Sequence, residues 1–316
     1  MTTPPRETTD GIGFGGLHEA VNCPIPDFDL PGGHTLSVHD WTSQSDLAGH
    51  IKDATIILTT TIRLSADVLS PQVTPKLRLI VIMASGTDCV DKEAAKARGI
   101  TVRNCPGTNV NSVSEHTVGL YFAVRRKFVD LHSIMVAVPE DIACDTEWKM
   151  KGGLNERLRT SDGEAPLLCG DETVGIVGYG TLGKRIKALA RALGMHVLVA
   201  ERKGMTPRPG RVSFEVALQS STVLILCLPR TSRTINLIST LELQTMPRQA
   251  ILINVARGEP AGGDISPLLN SDAAGLNLVL TPHLAWFAKK TLRNLQVATK
   301  ATVEQWCTGD TINRVA

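Results

Sequence analysis

Apolar and polar positions follow two rhythms along this chain, and the rhythms alternate. Short apolar runs suited to buried strands give way to stretches where apolar residues return at helical spacing. In the first part, Ser45 to Asp53 reads as a helix and Thr55–Thr60 as a strand. Leu79–Met83 is a second strand, Asp91–Arg98 a helix and Thr101–Asn104 a third strand. Pro106-Gly107 breaks the chain before a long helix around Val113–Lys127. The stretch from Pro139 to Leu168 is polar and is expected to cross between domains. A second series opens with strand Val174–Val177, helix Leu182–Leu193 and strand His196–Ala200. Helix Ser213–Gln219 and strands Val223–Leu228 and Ala250–Val255 follow, and the tail Lys290–Trp306 is an amphipathic helix. Leu182, Ile186, Leu189 and Leu193 recur at helical spacing, which predicts one face packed on a sheet. This alternation predicts an α/β fold with largely parallel sheets, and 316 residues suit two domains.

Composition narrows the class. Apolar residues make up 42% of the chain and charged ones 20%, enough for a large core. A formal net charge of +2 speaks against a nucleic-acid or membrane-surface partner. The N-terminal stretch lacks the basic start and apolar run of a secretion signal. No apolar run approaches the roughly 18 residues of a membrane span. Seven scattered cysteines without a CxxC pair read as reduced, mostly buried thiols in a cytoplasmic protein. Glu115-His116 lacks the partner spacing of a metal site, and no metal is expected.

Gly178-Tyr179-Gly180-Thr181-Leu182-Gly183 is a GxGxxG that leaves a strand and opens a helix. The first glycine permits the tight turn, the second lets backbone approach a pyrophosphate, and the third allows close helix–strand packing. The helix N-terminus then offers free N–H groups and partial positive charge to the phosphates. Glu201 ends the next strand, where an acid accepts the ribose hydroxyls and repels a 2′-phosphate. Arg202 and Lys203 follow it at once and would instead welcome that phosphate. The dinucleotide is therefore NAD, with NADP kept open.

Three further stretches carry chemistry-bearing residues at strand ends. Ile253–Gly258 (INVARG) sets Arg257 after an apolar strand, Thr281–Trp286 (TPHLAW) presents His283, and Ser85–Asp88 (SGTD) forms a glycine turn. Together with the GxGxxG and with Asn104–Asn109 and Ser112–Thr117, they closely resemble the D-isomer-specific 2-hydroxy acid dehydrogenase family. The likeness runs from about residue 50 to the end and leans towards the hydroxypyruvate, glyoxylate and glycerate branch.

The resemblance implies a Rossmann-type doubly wound coenzyme domain inserted into a smaller flavodoxin-like substrate domain, with the active site in the cleft between them. The substrate domain would comprise residues 1–114 and 286–316, and the NAD(P)-binding domain 115–285. It further implies His283 as the general acid that protonates the carbonyl oxygen as hydride arrives; imidazole suits this with a pKa near working pH. Arg257 would pair with the substrate carboxylate, for which its planar fork is fitted. Glu259, in a Glu-Pro dipeptide, would hydrogen-bond the histidine and favour its charged form. Backbone N–H groups at Ser85 and Gly86 would hold the same carboxylate. The implied coenzyme contacts are Gly178, Gly180, Thr181, Leu182, Gly183 and Glu201, joined by Leu228, Pro229 and Val255 after later strands.

The chain departs from the family pattern at one place. Almost thirty residues normally separate the arginine from the glutamate, but Arg257 and Glu259 are two apart. Roughly 27 residues, about one helix–strand unit, look excised after Gly258, against about 30 or more in a complete strand–helix–strand crossover. Such a loss strips ladder hydrogen bonds from a neighbouring strand. Each unpaired buried backbone group costs about 1–3 kcal/mol, against a total stability of about 5–15 kcal/mol. Thr222 and Cys89 are lesser departures from the usual Asp and Asn.

The function so implied is hydride transfer between NAD(P)H and a small 2-keto acid, by a homodimer. A formate dehydrogenase would pair its histidine with Gln, so Glu259 argues against that branch. The alternative from another class is a cofactor-binding but inactive homologue, or an NAD(H)-sensing interaction protein.

Overall fold

The central strands of this chain are short and largely apolar, which is the signature of parallel sheets covered on both faces. In the computed structural model, residues 12–17, 23–30, 33–39, 41–137, 146–160, 162–257, 277–309 and 315 are described. The chain divides into two compact units, Met1–Asn109 with Phe287–Ala316, and Val110–Trp286. The expected boundary at 114/115 is found at 109/110, where the long helix begins. That helix starts three residues before Val113, so the chain leaves the first unit as it enters it. The boundary near the C-terminus falls at 286/287 rather than 285/286.

Unit 1 opens with β1 (Ile12–Leu17), β2 (His34–His39), α1 (Leu47–Ile51), β3 (Ile56–Thr59) and β4 (Leu79–Ile82). α2 (Lys92–Ala97) and β5 (Thr101–Asn104) follow. The strands form one parallel sheet in the order β2-β1-β3-β4-β5, which is the flavodoxin-like order. β3 and β4 are buried at every position. α2 begins where the Asp91 carboxylate accepts the Ala94 N–H at 2.9 Å and ends before Gly99, whose φ of 70° suits a glycine stop. β1 and β2 escape the sequence pattern, because IGFGGL carries three glycines and HTLSVH little apolar alternation.

Unit 2 begins with α3 (Val110–Arg125), α4 (Phe128–Val136), α5 (Glu147–Lys151) and α6 (Asn155–Leu158). The polar stretch 139–168 thus belongs to unit 2 and makes no crossing between units, which corrects the expectation from its composition. Then come β6 (Thr173–Val177), α7 (Thr181–Ala192), β7 (His196–Val199), α8 (Phe214–Ser220), β8 (Val223–Leu226), α9 (Thr240–Thr245) and β9 (Ile251–Asn254). All pairings are parallel, in the order β7-β6-β8-β9, and a parallel bridge from Ala200 to Val212 extends the β7 side. This is the doubly wound arrangement. α10 (Lys289–Cys307) returns the chain to unit 1.

One core layer of unit 2 joins Tyr121 of α3, Ile186 and Ala190 of α7, and Val174, Ile176, Val223, Ile225, Ile251 and Ile253 of the sheet. The other joins Phe214, Ala217 and Leu218 of α8 to Val177 and Leu224. α7 buries the row Gly183, Ile186 and Ala190; Leu193 is exposed and Leu189 half-buried. The expected leucine stripe is therefore turned by one position, because Gly183 draws the helix close at its start. β9 alternates buried and exposed, with Leu252 39% exposed, whereas β8 is buried at its first three positions. At the amino ends of β6 and β8, Arg125 grips buried Glu172 through two bonds of 2.6 and 2.9 Å, and Tyr121 donates to the same carboxylate at 3.0 Å.

Candidate active site

In an open parallel sheet, ligands settle outside the carboxyl ends of the strands where the strand order reverses. In unit 2 that point lies at β6, with β7 on one side and β8 and β9 on the other. The glycine turn leaves β6 there. Gly178 has φ 104°, and a Cβ on it would stand 2.6 Å from the Cys227 carbonyl oxygen. A Cβ on Gly183 would stand 2.2 Å from the Gly178 oxygen, so α7 reaches the turn only with glycine there. Gly180 differs, because a Cβ on it meets nothing within 4 Å. No protein neighbour requires glycine at Gly180. The room beside it opens on the first N–H groups of the twelve-residue helix α7, beginning at Thr181 and Leu182. A bare backbone at a helix N-terminus is what a pyrophosphate needs, so these residues fit a dinucleotide.

Cys227 props the turn from behind. Its Sγ lies 2.9 Å from the Gly178 carbonyl oxygen, and burial pushes its thiol pKa up to about 12, which keeps it a donor. Leu228 and Pro229 follow β8, and the would-be Cβ of Gly178 lies 3.0 Å from the Leu228 nitrogen. Val255 follows β9, half-buried against the core layer under α3 and α7.

Glu201 closes β7 at the ribose position, buried at 3% exposure. Its carboxylate accepts two bonds from the Arg208 guanidinium, at 2.6 and 2.8 Å. It also accepts the Arg202 N–H at 2.9 Å and faces Arg211 at 3.5 Å. The Arg208 fork and then the Arg202 N–H hold its pKa down to about 2. Arg211 also lies over the Tyr179 ring, 5.6 Å from its centroid, with Lys187 at 5.3 Å. The residues that surround Glu201 most closely were thus not the expected ones. Lys203 instead pairs with Glu242 at 2.6 Å.

The structure brings Arg257 and His283 together. Asn254 ends β9 and its side chain brackets the next loop, accepting the Ala256 N–H at 3.0 Å and donating to the Arg257 carbonyl at 3.4 Å. His283 is exposed, and its φ of 60° is left-handed, a conformation costing a side chain about 1–2 kcal/mol. A tight bond of 2.8 Å from its N–H to the Thr281 oxygen helps fix it, and His116 of α3 reaches the same turn, 3.3 Å from the Thr281 hydroxyl. Arg257 Nη1 lies 3.2 Å from His283 Nε2. A guanidinium only donates, so Nε2 is the acceptor side of this contact. Strain at an exposed, hydrogen-bonded histidine is characteristic of functional positions.

Ser85 and Gly86 lie in unit 1, after β4. The Ser85 hydroxyl donates to Asn109 Oδ1 at 3.2 Å and its carbonyl accepts from Asn104 at 2.8 Å. Glu259 lies outside the described residues. Among those described, no cluster of three metal-ligating side chains occurs, and no helix is long and apolar enough to cross a membrane. Arg208, Arg211, Tyr179, Cys227 and His116 escaped the sequence reading. The one available signal was the turn-forming run Thr206–Arg211, which folds its arginines back.

The chain is similar to known proteins over most of its length. Residues 145–262 match the model for the NAD binding domain of the D-isomer specific 2-hydroxyacid dehydrogenases. A glycerate dehydrogenase of Methylorubrum extorquens is 33% identical, over 94% of this chain and 96% of that protein. The aligned stretch counts 322 positions against 94% of a 316-residue chain, so the relative has about two dozen residues opposite gaps here. A D-lactate dehydrogenase of Aquifex aeolicus, solved with NAD and lactic acid, superposes with a TM-score of 0.71 at 22% identity, covering 89% of this chain and 92% of that one. An acyclic imino acid reductase, solved with NADPH and D-Arg, does so with 0.72 at 20% identity, covering 95% and 100%.

Proposed function

This chain belongs to the D-isomer-specific 2-hydroxyacid dehydrogenase family, and on that premise we propose that it interconverts a small 2-keto acid of the hydroxypyruvate or glyoxylate class and the matching D-2-hydroxy acid. It is an oxidoreductase of the D-2-hydroxyacid dehydrogenase type, and the family uses NAD(H). The observation that carries the reading is the 3.2 Å contact between Arg257, in the loop after β9, and His283. NAD(P)H supplies the hydride. The Arg257 fork binds the substrate carboxylate and so places the carbonyl beside the imidazole. His283 delivers a proton from the protonated ring to the carbonyl oxygen, and in the reverse direction its ring accepts the hydroxyl proton. Ser85 and Gly86 are proposed to supply backbone N–H groups to the carboxylate, and Glu259 to orient His283. The GxGxxG turn, with Leu228, Pro229 and Val255, is proposed to hold the coenzyme. Two copies are proposed to pair through unit 2, where α4 exposes Phe128, Val129, Met135 and Val136.

A second reading is favoured by the exposure of Leu252 on β9 and by the roughly two dozen residues that the relative has opposite gaps in this chain. On that reading the chain binds coenzyme without turnover, as a sensor or an inactive homologue. One assay separates the two: mix purified chain with NADH or NADPH and hydroxypyruvate or glyoxylate, and follow absorbance of the reduced coenzyme. Substrate-dependent loss of absorbance is expected. Coenzyme binding with no turnover on either keto acid would leave only the second reading.

A further inference from the structure

Glu201 stands where an acid accepts the hydroxyls of the adenosine ribose, yet its oxygens already serve other donors. Arg208 takes both of them, the Arg202 N–H takes one, and Arg211 stands at 3.5 Å. A ribose diol bound there would have to displace a bidentate guanidinium, the strongest kind of carboxylate partner.

The loop that makes this arrangement is built to hold it. Met205 N–H bonds the Arg202 oxygen at 3.0 Å and Arg211 N–H the Arg208 oxygen at 3.1 Å, closing two turns. Gly204 and Gly210 occupy the left-handed positions that follow, with φ 74° and 77°. Pro207 and Pro209 stiffen the backbone on either side of Arg208. The loop returns through Val212, which bridges Ala200 at the end of β7. Lys203 takes no part, since Glu242 claims it.

Charge is therefore lopsided at this spot. One carboxylate pairs with the guanidinium groups of Arg208 and Arg211, and a third arginine, Arg202, adjoins it in sequence. The Arg208 side chain is 58% exposed despite its pairing, so it can turn a donor edge outward. Arg211 touches both Glu201 and the ring of Tyr179 inside the glycine turn, which sets the cluster beside the pyrophosphate cradle.

We propose that the Arg202–Arg211 loop is a 2′-phosphate subsite, that this chain takes NADP(H) in preference to NAD(H), and that Glu201 anchors Arg208 and Arg211 instead of receiving the ribose. The proposal rests on the coenzyme reading of the glycine turn. A 2′-phosphate brings its own negative charge and three acceptor oxygens, matching what the loop presents, while the ribose of NAD(H) offers hydroxyls to a carboxylate that is engaged.

Binding measured by calorimetry on the intact chain tests it, without recourse to turnover. NADPH is expected to bind about tenfold or more tightly than NADH at low salt, and 2′-AMP more tightly than 5′-AMP. The advantage should shrink as ionic strength rises, since the arginines are partly exposed. Arg208→Ala with Arg211→Ala should abolish it by weakening NADPH, while NADH affinity holds or rises as Glu201 is freed for the ribose hydroxyls. Arg202→Ala, wholly on the surface, serves as a second and milder variant and should reduce the advantage. Tighter binding of NADH, or a preference that survives the double substitution, overturns the proposal alone. If neither dinucleotide binds the folded wild-type chain, the coenzyme reading falls and the proposal with it.

Discussion

His283 carries two features that a surface histidine of no function has no reason to combine. Its backbone sits in the left-handed region, and its Nε2 is aimed at the guanidinium of Arg257. The contact sets the proposed acid and the proposed carboxylate anchor side by side. His283→Ala should lower kcat by about 10²- to 10⁴-fold, the usual range for a positioned acid or base. Affinity for NADPH and NADH should stay within about twofold, because the glycine turn and Glu201 lie on other loops. Equal loss of turnover and coenzyme affinity, measured by steady-state kinetics beside calorimetry, would count against a role in proton transfer. These two residues were legible because each sits in a short local motif, Arg257 just after β9 and His283 in a stretch of its own. The partners of Glu201 were not. Which arginine folds back on a carboxylate depends on two turns with glycines at left-handed positions, and sequence spacing alone reports neither. Cys227 was read as an inert thiol, and its bond to Gly178 exists only because β6 and β8 are neighbours.

At the scale of elements, the strand–turn–helix units read clearly, since β6, α7 and β7 carry their own periodicity and stops. α9 did not, though it holds the nucleotide loop in place. Glu242, in its first turn, accepts the Ser239 N–H at 2.9 Å and the Lys203 ammonium at 2.6 Å. Those partners, Lys203 first and then Ser239, hold its carboxyl near pKa 2, below the usual value of about 4.3. A carboxyl whose pKa is lower in the folded state contributes stability above its unfolded pKa and loses it as pH falls through the folded one. Glu242→Gln should therefore lower Tm by a constant amount above about pH 5, with the difference from wild type narrowing as pH drops towards 3. Thermal unfolding followed by circular dichroism across that range checks it. A difference that stays level down to pH 3 would mean that Glu242 acts through its shape and not its charge. β9 marks the limit of what pattern could show. Its apolar run predicts a strand, yet its alternation of buried and exposed positions is that of a sheet edge.

Across the whole molecule, alternating rhythms foretold two parallel α/β units, while the glycine-rich β1 and polar β2 concealed how wide the first sheet is. Helix periodicity also concealed what lies outside unit 2. α4 is nine residues long and none of them is buried. Phe128, Val129, Met135 and Val136 are each 46–58% exposed, and spacings of one and seven residues put them on one side of the helix. Trp148 and Met150 of the adjacent α5 are 48% and 66% exposed. Contiguous apolar surface of this kind is uncommon on a monomer and marks an association site. An isologous pair needs only one self-complementary patch, which makes a two-fold dimer the simplest occupant. Light scattering coupled to size exclusion should give the wild-type chain a mass twice that of its sequence at about 10 μM, a concentration that suits an interface of ordinary size. Phe128→Glu with Val136→Glu should shift it to the monomer mass while leaving coenzyme affinity unchanged, because both residues lie on a helix remote in sequence from the glycine turn. A wild-type monomer, or a double variant that still elutes as a dimer, would remove α4 from the interface.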